Sequence, residues 1–589
     1  MKNIKKQISI IFLFTFTVTI YAQESLKSIE EEYYDFLSLT GVTERPTLGY
    51  RTLSDSVWTF NEITTLEENA DGTFTKVRVP GEESDGHIWK DNNLGTTYTL
   101  WEPSIPADNF FARGLKQGFT ARIYGPEWFN NYNKATPFGQ NDGALWQGRG
   151  YNTSLTAGLR LEGYGFELTF KPQISWSQNR EFEISKDIYP NPYSYSFKSG
   201  TVNHPIDIVQ RYGDSSFWNY DWGDFEIRWT WHTLTLGFGT QNPWLGPAYL
   251  NPMLGSNNAP GYFKLDAGLR KTEVVIPFLG WSLGSIEGRI WVGQLEESDY
   301  FDDNPDNDKR MLTAMTASYN PSFIPGLTVG LNRIFNTYWR TENLKYILRL
   351  FTTSRSNALA SSGNDEDQKF SLFAEWAFKK VGFTVYGEFG RDDFSSNERT
   401  NPFHTAIYTV GAKQSIPLHF TKLFPKLPSI FNLESELIFE WNDFELSQDF
   451  QLQWTYLGYY SHGFVKQGYT HKGQLLGAGT GWAGNSQFLQ YKIYYPKGYS
   501  AFSFHRFCQN NNSVYSQAVY AVAAGEKGTI FKQWYANFET YFCYSFETNI
   551  FILKNMNVNF ILNDIYIYNY QYQKYKTHYN YLLTIKYSF

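Results

Sequence analysis

YNYLLTIKYSF, residues 579–589, ends the chain, and its side chains sort into two rows. Tyr579, Tyr581, Leu583, Ile585, Tyr587 and Phe589 share one parity, opposite Asn580, Thr584, Lys586 and Ser588. Successive side chains of a strand point to opposite faces, so the run predicts a strand with one apolar and one wet face. At the edge of a soluble sandwich, an aromatic row of this length would invite pairing with other chains. Closing the sheet into a barrel removes the edge.

The same pattern recurs upstream. In residues 370–389, Phe370, Leu372, Ala374, Trp376 and Phe378 hold one parity, and Phe383, Val385, Gly387 and Phe389 take the other after Lys379-Lys380-Val381-Gly382. A parity flip across a tight turn keeps both apolar rows on one face, as a hairpin needs. A similar flip falls at His232-Thr233. Phe166 to Ser177 reads as one strand, with Phe166, Leu168, Phe170, Ile174 and Trp176 opposite Glu167, Thr169, Lys171, Gln173 and Ser175.

Composition favours a barrel in a membrane. The 589 residues include 49 Phe, 43 Tyr and 19 Trp, yet mean hydropathy is -0.43. Rings facing lipid and polar groups facing a lumen average out in this way. The predicted fold is all-β, a large antiparallel transmembrane β-barrel over residues 97–589. At about 10 residues per tilted strand plus loops, the length suits roughly sixteen to eighteen strands. Short turns such as Lys379–Gly382 and His232-Thr233 are then periplasmic. The segment 391–404 is an external loop, and Glu375 and Glu388 point into the lumen.

Lys2, Lys5 and Lys6 precede an apolar run from Ile8 to Ile20, which has the parts of a secretory signal peptide, residues 1–22, cut after Ala22. Residues 23–96 read as an N-terminal periplasmic segment, helical and then irregular. In it Leu26, Ile29, Tyr33, Phe36 and Leu37 lie near one face, and Gly41 is placed to end a helix. Beyond Asn61 the signal is weak, with one strand hint near Phe74.

Several chemistries find no support. With 51 Lys+Arg against 58 Asp+Glu and a net charge of -7, a nucleic-acid partner is not expected, since phosphate contact needs clustered positive charge. The acidic run 301–310 holds Asp302, Asp303, Asp306 and Asp308 but lacks the glycine of a calcium loop, and reads as a solvated external loop. The histidines show no metal-ligand spacing, so no metal is expected. Residues 479–484 fit G-x-G-x-x-G, but a strand-like run follows where a dinucleotide site needs a helix. No cofactor is expected, and no G-x-S-x-G elbow supports an enzyme. Cys508 and Cys543 read as two small buried residues, with a single bridge as the alternative.

The stretch Leu236 to Gly261, LGFGTQNPWLGPAYLNPMLGSNNAPG, is too rich in Pro and Gly for a helix or long strand and predicts a rigid, shaped loop at the external end of its strand, which sits outside or folds back into the barrel mouth. Trp244, Gly246, Pro247, Leu254, Ser256, Asn257, Asn258 and Ala259 follow in an order that resembles a signature of the Wzi capsule-assembly family. Leu245 interrupts the Trp-Gly pair, and Ala248 stands where a glycine is usual. Residues 41–58 resemble the N-terminal part of the family's Bacteroidetes branch, and residues 141–158, 459–486 and the run Tyr386-Gly387-Glu388 to Asp392-Asp393 resemble further segments of the family.

The resemblance implies eighteen strands and a helical N-terminus that helps close the periplasmic end. It also implies a surface protein that binds capsular or exopolysaccharide and helps assemble or retain it, without catalysis. Candidate glycan contacts are Trp244, Asn251, Asn257, Asn258, Glu388, Asp392, Tyr469 and His471. The residues alone leave structural roles open: loop packing for Tyr469 and His471, and pairing with lumen arginines for Glu375, Glu388, Asp392 and Asp393. Other expected partners are outer-membrane lipid and the barrel-assembly machinery, whose terminal signal the last strand, ending in Phe589, resembles. The alternative function is a diffusion channel.

Overall fold

The computed structural model describes residues 28–51, 58–61, 64–68, 74–78, 87–184, 206–302, 304–352, 366–392, 405–420, 426, 432–445, 459–481, 483–509, 511, 539–570 and 574–589. The predicted signal peptide and most of the 391–404 loop lie outside them.

Eighteen antiparallel strands close into a barrel. In chain order the first nine are β1 (Phe119–Asn133), β2 (Gly150–Gly163), β3 (Phe166–Phe170 with Gln173–Ser177), β4 (Phe217–Asp221 with Glu226–Trp231), β5 (Leu234–Gly239), β6 (Lys264–Val275), β7 (Ser282–Glu296), β8 (Lys309–Pro321) and β9 (Leu327–Tyr338). The second nine are β10 (Glu366–Phe378), β11 (Phe383–Asp392), β12 (Ala406–His419), β13 (Asn432–Asp443), β14 (Asn485–Tyr495), β15 (Gly498–Cys508), β16 (Thr540–Leu553), β17 (Met556–Tyr570) and β18 (Lys574–Tyr587). The seam forms where β18 pairs with β1, from Asn580 opposite Asn133 to Lys586 opposite Glu127. Thr97–Trp101 pairs with the start of β1 and continues the seam where the chain ends, with the Thr96 N–H donating to the Phe589 carbonyl at 2.8 Å.

The parity readings match the faces. Leu372, Trp376, Phe378 and Val385 are exposed on the outer surface of the β10–β11 hairpin, while Glu388 is buried within. Phe378 pairs with Phe383 across the turn, and Gly382 takes φ +62. Trp231 pairs with Leu234 across the two-residue turn at His232. The strand read over Phe166 to Ser177 comes in two pieces because Pro172 has no N–H to give the ladder. The next strand breaks beside it, and the Asp224 N–H donates to the Lys171 carbonyl at 3.1 Å. Both pieces of β3 still pair with β2, so the wall is continuous. Cys508 and Cys543 are buried free thiols, Cys508 facing Thr540 and Cys543 facing His505 across β15 and β16.

Helix α1 (Ile29–Leu39) lies inside the periplasmic end. Ser28 caps it, its Oγ accepting the Glu31 N–H at 3.2 Å. Its end is a Schellman turn: the Gly41 N–H donates to Ser38 O and the Val42 N–H to Leu37 O, both at 3.1 Å, with Gly41 at φ +77. Tyr33 stacks on Trp89 at 4.1 Å and Phe36 on Tyr494 at 4.3 Å, fixing the helix against the β14–β16 wall. Glu32 reaches Lys492 at 2.6 Å, and Asp35 pairs with both Arg45 and Lys413.

Candidate functional site

By the short-turn rule of outer-membrane barrels, the hairpin turns at 232, 379–382, 496–497 and 554–555 face the periplasm, and the long connections face outward. The long connection 240–263 does not stay outside. It descends into the lumen until Trp244–Leu245 forms a two-residue antiparallel bridge with Tyr50–Arg51 of the N-terminal segment. A segment entering from each end therefore meets inside the barrel. Gly246 takes φ +80 there and donates its N–H to the Gly49 carbonyl at 3.0 Å. Gly49 lies so close to the wall that a Cβ would sit 2.3 Å from the Ser318 hydroxyl and 2.5 Å from the Phe373 ring.

Two wall carboxylates grip these segments by their backbones. Glu287 of β7 accepts N–H groups from Leu48, Gly49 and Tyr50 at 2.8, 2.8 and 3.2 Å. Glu440 of β13 accepts those of Tyr249 at 2.6 Å, Leu250 at 3.1 Å and Asn251 at 2.8 Å. A carboxylate offers several acceptor directions, so one side chain can satisfy three buried donors of an irregular segment. Around the bridge the outer half of the lumen is a packed apolar core: Tyr50, Leu245, Met253 and Leu254 meet Tyr460 and Tyr469 from a second inward segment, 459–484, and Trp291, Leu312 and Ile334 from the wall.

The eight candidates read from the sequence fall within or against this filling. Trp244 is 2% exposed, donates its indole N–H to Ala248 O at 2.9 Å, and lies under the Arg51 guanidinium. Asn251 donates its amide to Asn442 at 3.1 Å and accepts the Thr480 N–H at 3.3 Å. Asn257 donates to Asn141 O at 3.3 Å, and Asn258 to Leu475 O at 3.1 Å. Tyr469 donates its hydroxyl to Leu254 O at 2.7 Å, and His471 Nδ1 accepts the Glu296 N–H at 3.0 Å. Burial holds the His471 imidazole neutral, well below its ordinary range. Glu388 accepts the Ser371 hydroxyl at 2.5 Å and the Met253 N–H at 3.4 Å, and Asp392 pairs with Lys369 at 2.5 Å. A hydroxyl and an amide thus meet Glu388, and a lysine meets Asp392. Arginine pairing occurs elsewhere in the lumen, where Arg228 meets Glu226 at 2.6 Å and Asp266 at 2.8 Å. Seven of the eight are buried, and Asn258 is half-buried at the edge of the filling.

Open space lies above and below. On the outer face a cavity of about 400 Å³ is shared by residues 144–146, 212–219, 296–300 and 472–474. Its rings are Trp146, Tyr212, Phe217 and Tyr300. Tyr212 is the hub: 5.0 Å from Trp146 and 5.8 Å from both Phe217 and Tyr300, with its hydroxyl donating to Lys472 O at 2.7 Å. Glu296 and Lys472 face each other at 3.5 Å, both well exposed, and Asp299 is exposed. Glu297 is held by Gln467 and accepts the Asp302 N–H at 3.4 Å; burial, reinforced by Asp302 and Asp207, pushes its carboxyl up to about 8. Gln474 ties this cavity to the filling by donating to Asn258 O at 3.2 Å. The acidic loop beyond it folds on itself, Asp302 accepting the Asn304 N–H at 2.8 Å. None of these rings stood out in the sequence, because three distant segments supply them.

On the periplasmic side a cavity of about 640 Å³ opens between α1, the segment 43–48 and strands β8 to β12. Lys271, Lys379, Lys380, Lys413 and Arg45 line it, with Asp35, Glu44 and Glu375. Lys271 pairs with Glu44 at 2.7 Å and holds that carboxylate below its ordinary range. A smaller cavity of about 190 Å³ lies between Asp142 and Asn257 on one side and Glu547 and Lys586 on the other.

No protein-family model matches the chain, and no curated protein sequence matches it. Solved structures do match by fold. Wzi of Escherichia coli, described as an outer-membrane protein involved in group 1 capsule assembly and a carbohydrate-binding β-barrel, aligns with a TM-score of 0.50 at 12% identity, over 79% of this chain and 85% of that one. OprB of Pseudomonas putida aligns at a TM-score of 0.34 and 11% identity, over 79% and 94%. OccAB4 of Acinetobacter baumannii aligns at 0.36 and 10%, over 80% and 98%. The chain has a Wzi-like outer-membrane β-barrel fold.

Proposed function

We propose that the protein binds a capsular or exopolysaccharide at the cell surface and helps assemble or retain it there, without catalysing a reaction, and that the outer cavity receives the sugar. The observation that carries this reading is the contrast along the barrel axis: the outer half of the lumen is packed like a protein core, while the mouth above it keeps a cavity walled by four aromatic rings. Rings offer flat apolar faces to sugar C–H groups, and carboxylates and amides accept or donate to hydroxyls. One cavity on a repeating polymer gives a weak contact per site, and many barrels on one chain add avidity. Glu297 is engaged with Gln467 and a backbone amide, which suits a binding surface better than a working acid.

The test compares cell-bound and released polysaccharide in cells with the protein, without it, and with Trp146→Ala/Tyr300→Ala. Polymer shifting to the medium at unchanged total synthesis, in both the deletion and the double variant, supports the reading. Unchanged partitioning in the deletion strain overturns it. The charged cavity in the inner half favours a second reading, a diffusion channel. That reading requires stable single-channel steps from the purified barrel in a planar bilayer, whereas a polysaccharide anchor with a filled lumen gives almost none.

A further inference from the structure

The charge of the outer cavity points to what kind of sugar enters it, an inference that rests on the polysaccharide reading above. Among the described residues, Glu296 and Asp299 line the cavity as charged carboxylates against one cation, Lys472, while Glu297, its carboxyl pushed up to about 8 by burial, adds a hydrogen-bonding group and not a charge, so the surplus is Asp299. Lys472 is already opposite Glu296, so its charge is matched before a ligand arrives. Asp214 stands close by, well exposed, beside Arg211 at 3.2 Å, so that pair adds no net positive charge. Burial, and after it Asp299 and Asp214, raise the phenol of Tyr300, which lines the cavity. The rings give the cavity its affinity for a saccharide face, and the surplus of carboxylate gives it a sign.

We infer that the site takes a non-anionic saccharide unit, neutral or bearing a free amine, and rejects uronate. A sugar carboxylate brought within several ångströms of Asp299 and Glu296 meets like charge on the side where its hydroxyls would bond. A neutral sugar places hydroxyls on the same oxygens, and an amine gains a charge-assisted hydrogen bond. Like-charge juxtaposition is how protein surfaces exclude wrong partners.

The test is calorimetric titration of the purified full-length protein in detergent with three probes of equal length: a neutral glucan oligosaccharide, a glucosamine oligosaccharide with free amines, and an oligogalacturonate. The expected result is that the first two bind and the uronate binds at least about tenfold more weakly at low salt. Raising salt to 1 M, where the screening length falls to about 3 Å, should narrow that gap. So should Glu296→Gln/Asp299→Asn, two exposed positions at which neutral side chains fit. Uronate binding equal to that of the neutral probe, with or without added calcium, overturns the inference while leaving the polysaccharide reading to the cell-surface experiment. Binding of none of the three overturns the assignment of this cavity. A uronate gap unmoved by both salt and the double variant overturns the electrostatic cause and with it the inference.

Discussion

Single side chains decide whether the lumen stays filled. Glu287 is the acceptor for three consecutive backbone donors, so Glu287→Ala strands Leu48, Gly49 and Tyr50 N–H groups at once. Orphaned buried donors cost on the order of 1–3 kcal/mol each, partly recovered if water enters. The expected outcome is that residues 28–61 become sensitive to limited proteolysis while the barrel keeps its heat-modifiable mobility on a denaturing gel. Asp142 provides a pH dependence. It sits in the 134–149 loop beside Gly143, whose N–H donates to Asn257 O at 2.7 Å, and burial raises its carboxyl to about 7, against a hydrogen bond from Gln147 that lowers it. A folded-state pKa above the unfolded value near 4 means the stabilisation is full below pH 4 and is lost as pH rises through 7. Allowing for its partial exposure, the effect is on the order of 2 kcal/mol. Hydrogen exchange at Gly143, corrected for intrinsic rate, should show protection falling between about pH 4 and pH 7, and Asp142→Asn should flatten the change.

At the scale of elements, the strands were legible because a wall between lipid and a polar lumen imposes one rule on every residue. Tyr581, Leu583 and Tyr587 face outward and Asn580 and Lys586 inward, as their parity requires. The helix was legible for a similar reason: Tyr33, Phe36 and Leu37 share a face, and Gly41 ends it. The course of the 240–263 connection was legible only as two alternatives, outside or folded back into the mouth, of which the structure takes the second. Its prolines and glycines announce a rigid loop, but nothing local says that its backbone N–H groups donate to Glu440 and Glu388 or that it bridges to a segment nearly two hundred residues away. The outer cavity escaped for the same reason: Trp146, Tyr212 and Tyr300 are ordinary aromatics until four connections converge. Trp244→Ala at the meeting point removes a fully packed ring and should cost about 3–5 kcal/mol. Thermal unfolding would read this as loosening of the inward segments ahead of the wall.

The whole molecule is a cylinder whose filling comes from both ends of the axis and joins through the bridge of Trp244–Leu245 with Tyr50–Arg51. That bridge sets a chronology. The wall is completed only when β18, the last part of the chain, pairs with β1. The expected order is that residues 28–51 lie inside by then, because their carboxylate grips, their stacked rings and their partner loop are all enclosed by the finished cylinder. Supplying residues 23–61 as a separate peptide to a barrel already folded from residues 62–589 should fail to restore protease resistance of the 240–263 connection. Co-expressing the two pieces during assembly should succeed. The N-terminal segment is in this sense less a stopper pushed into a finished tube than the mandrel around which the tube is wound.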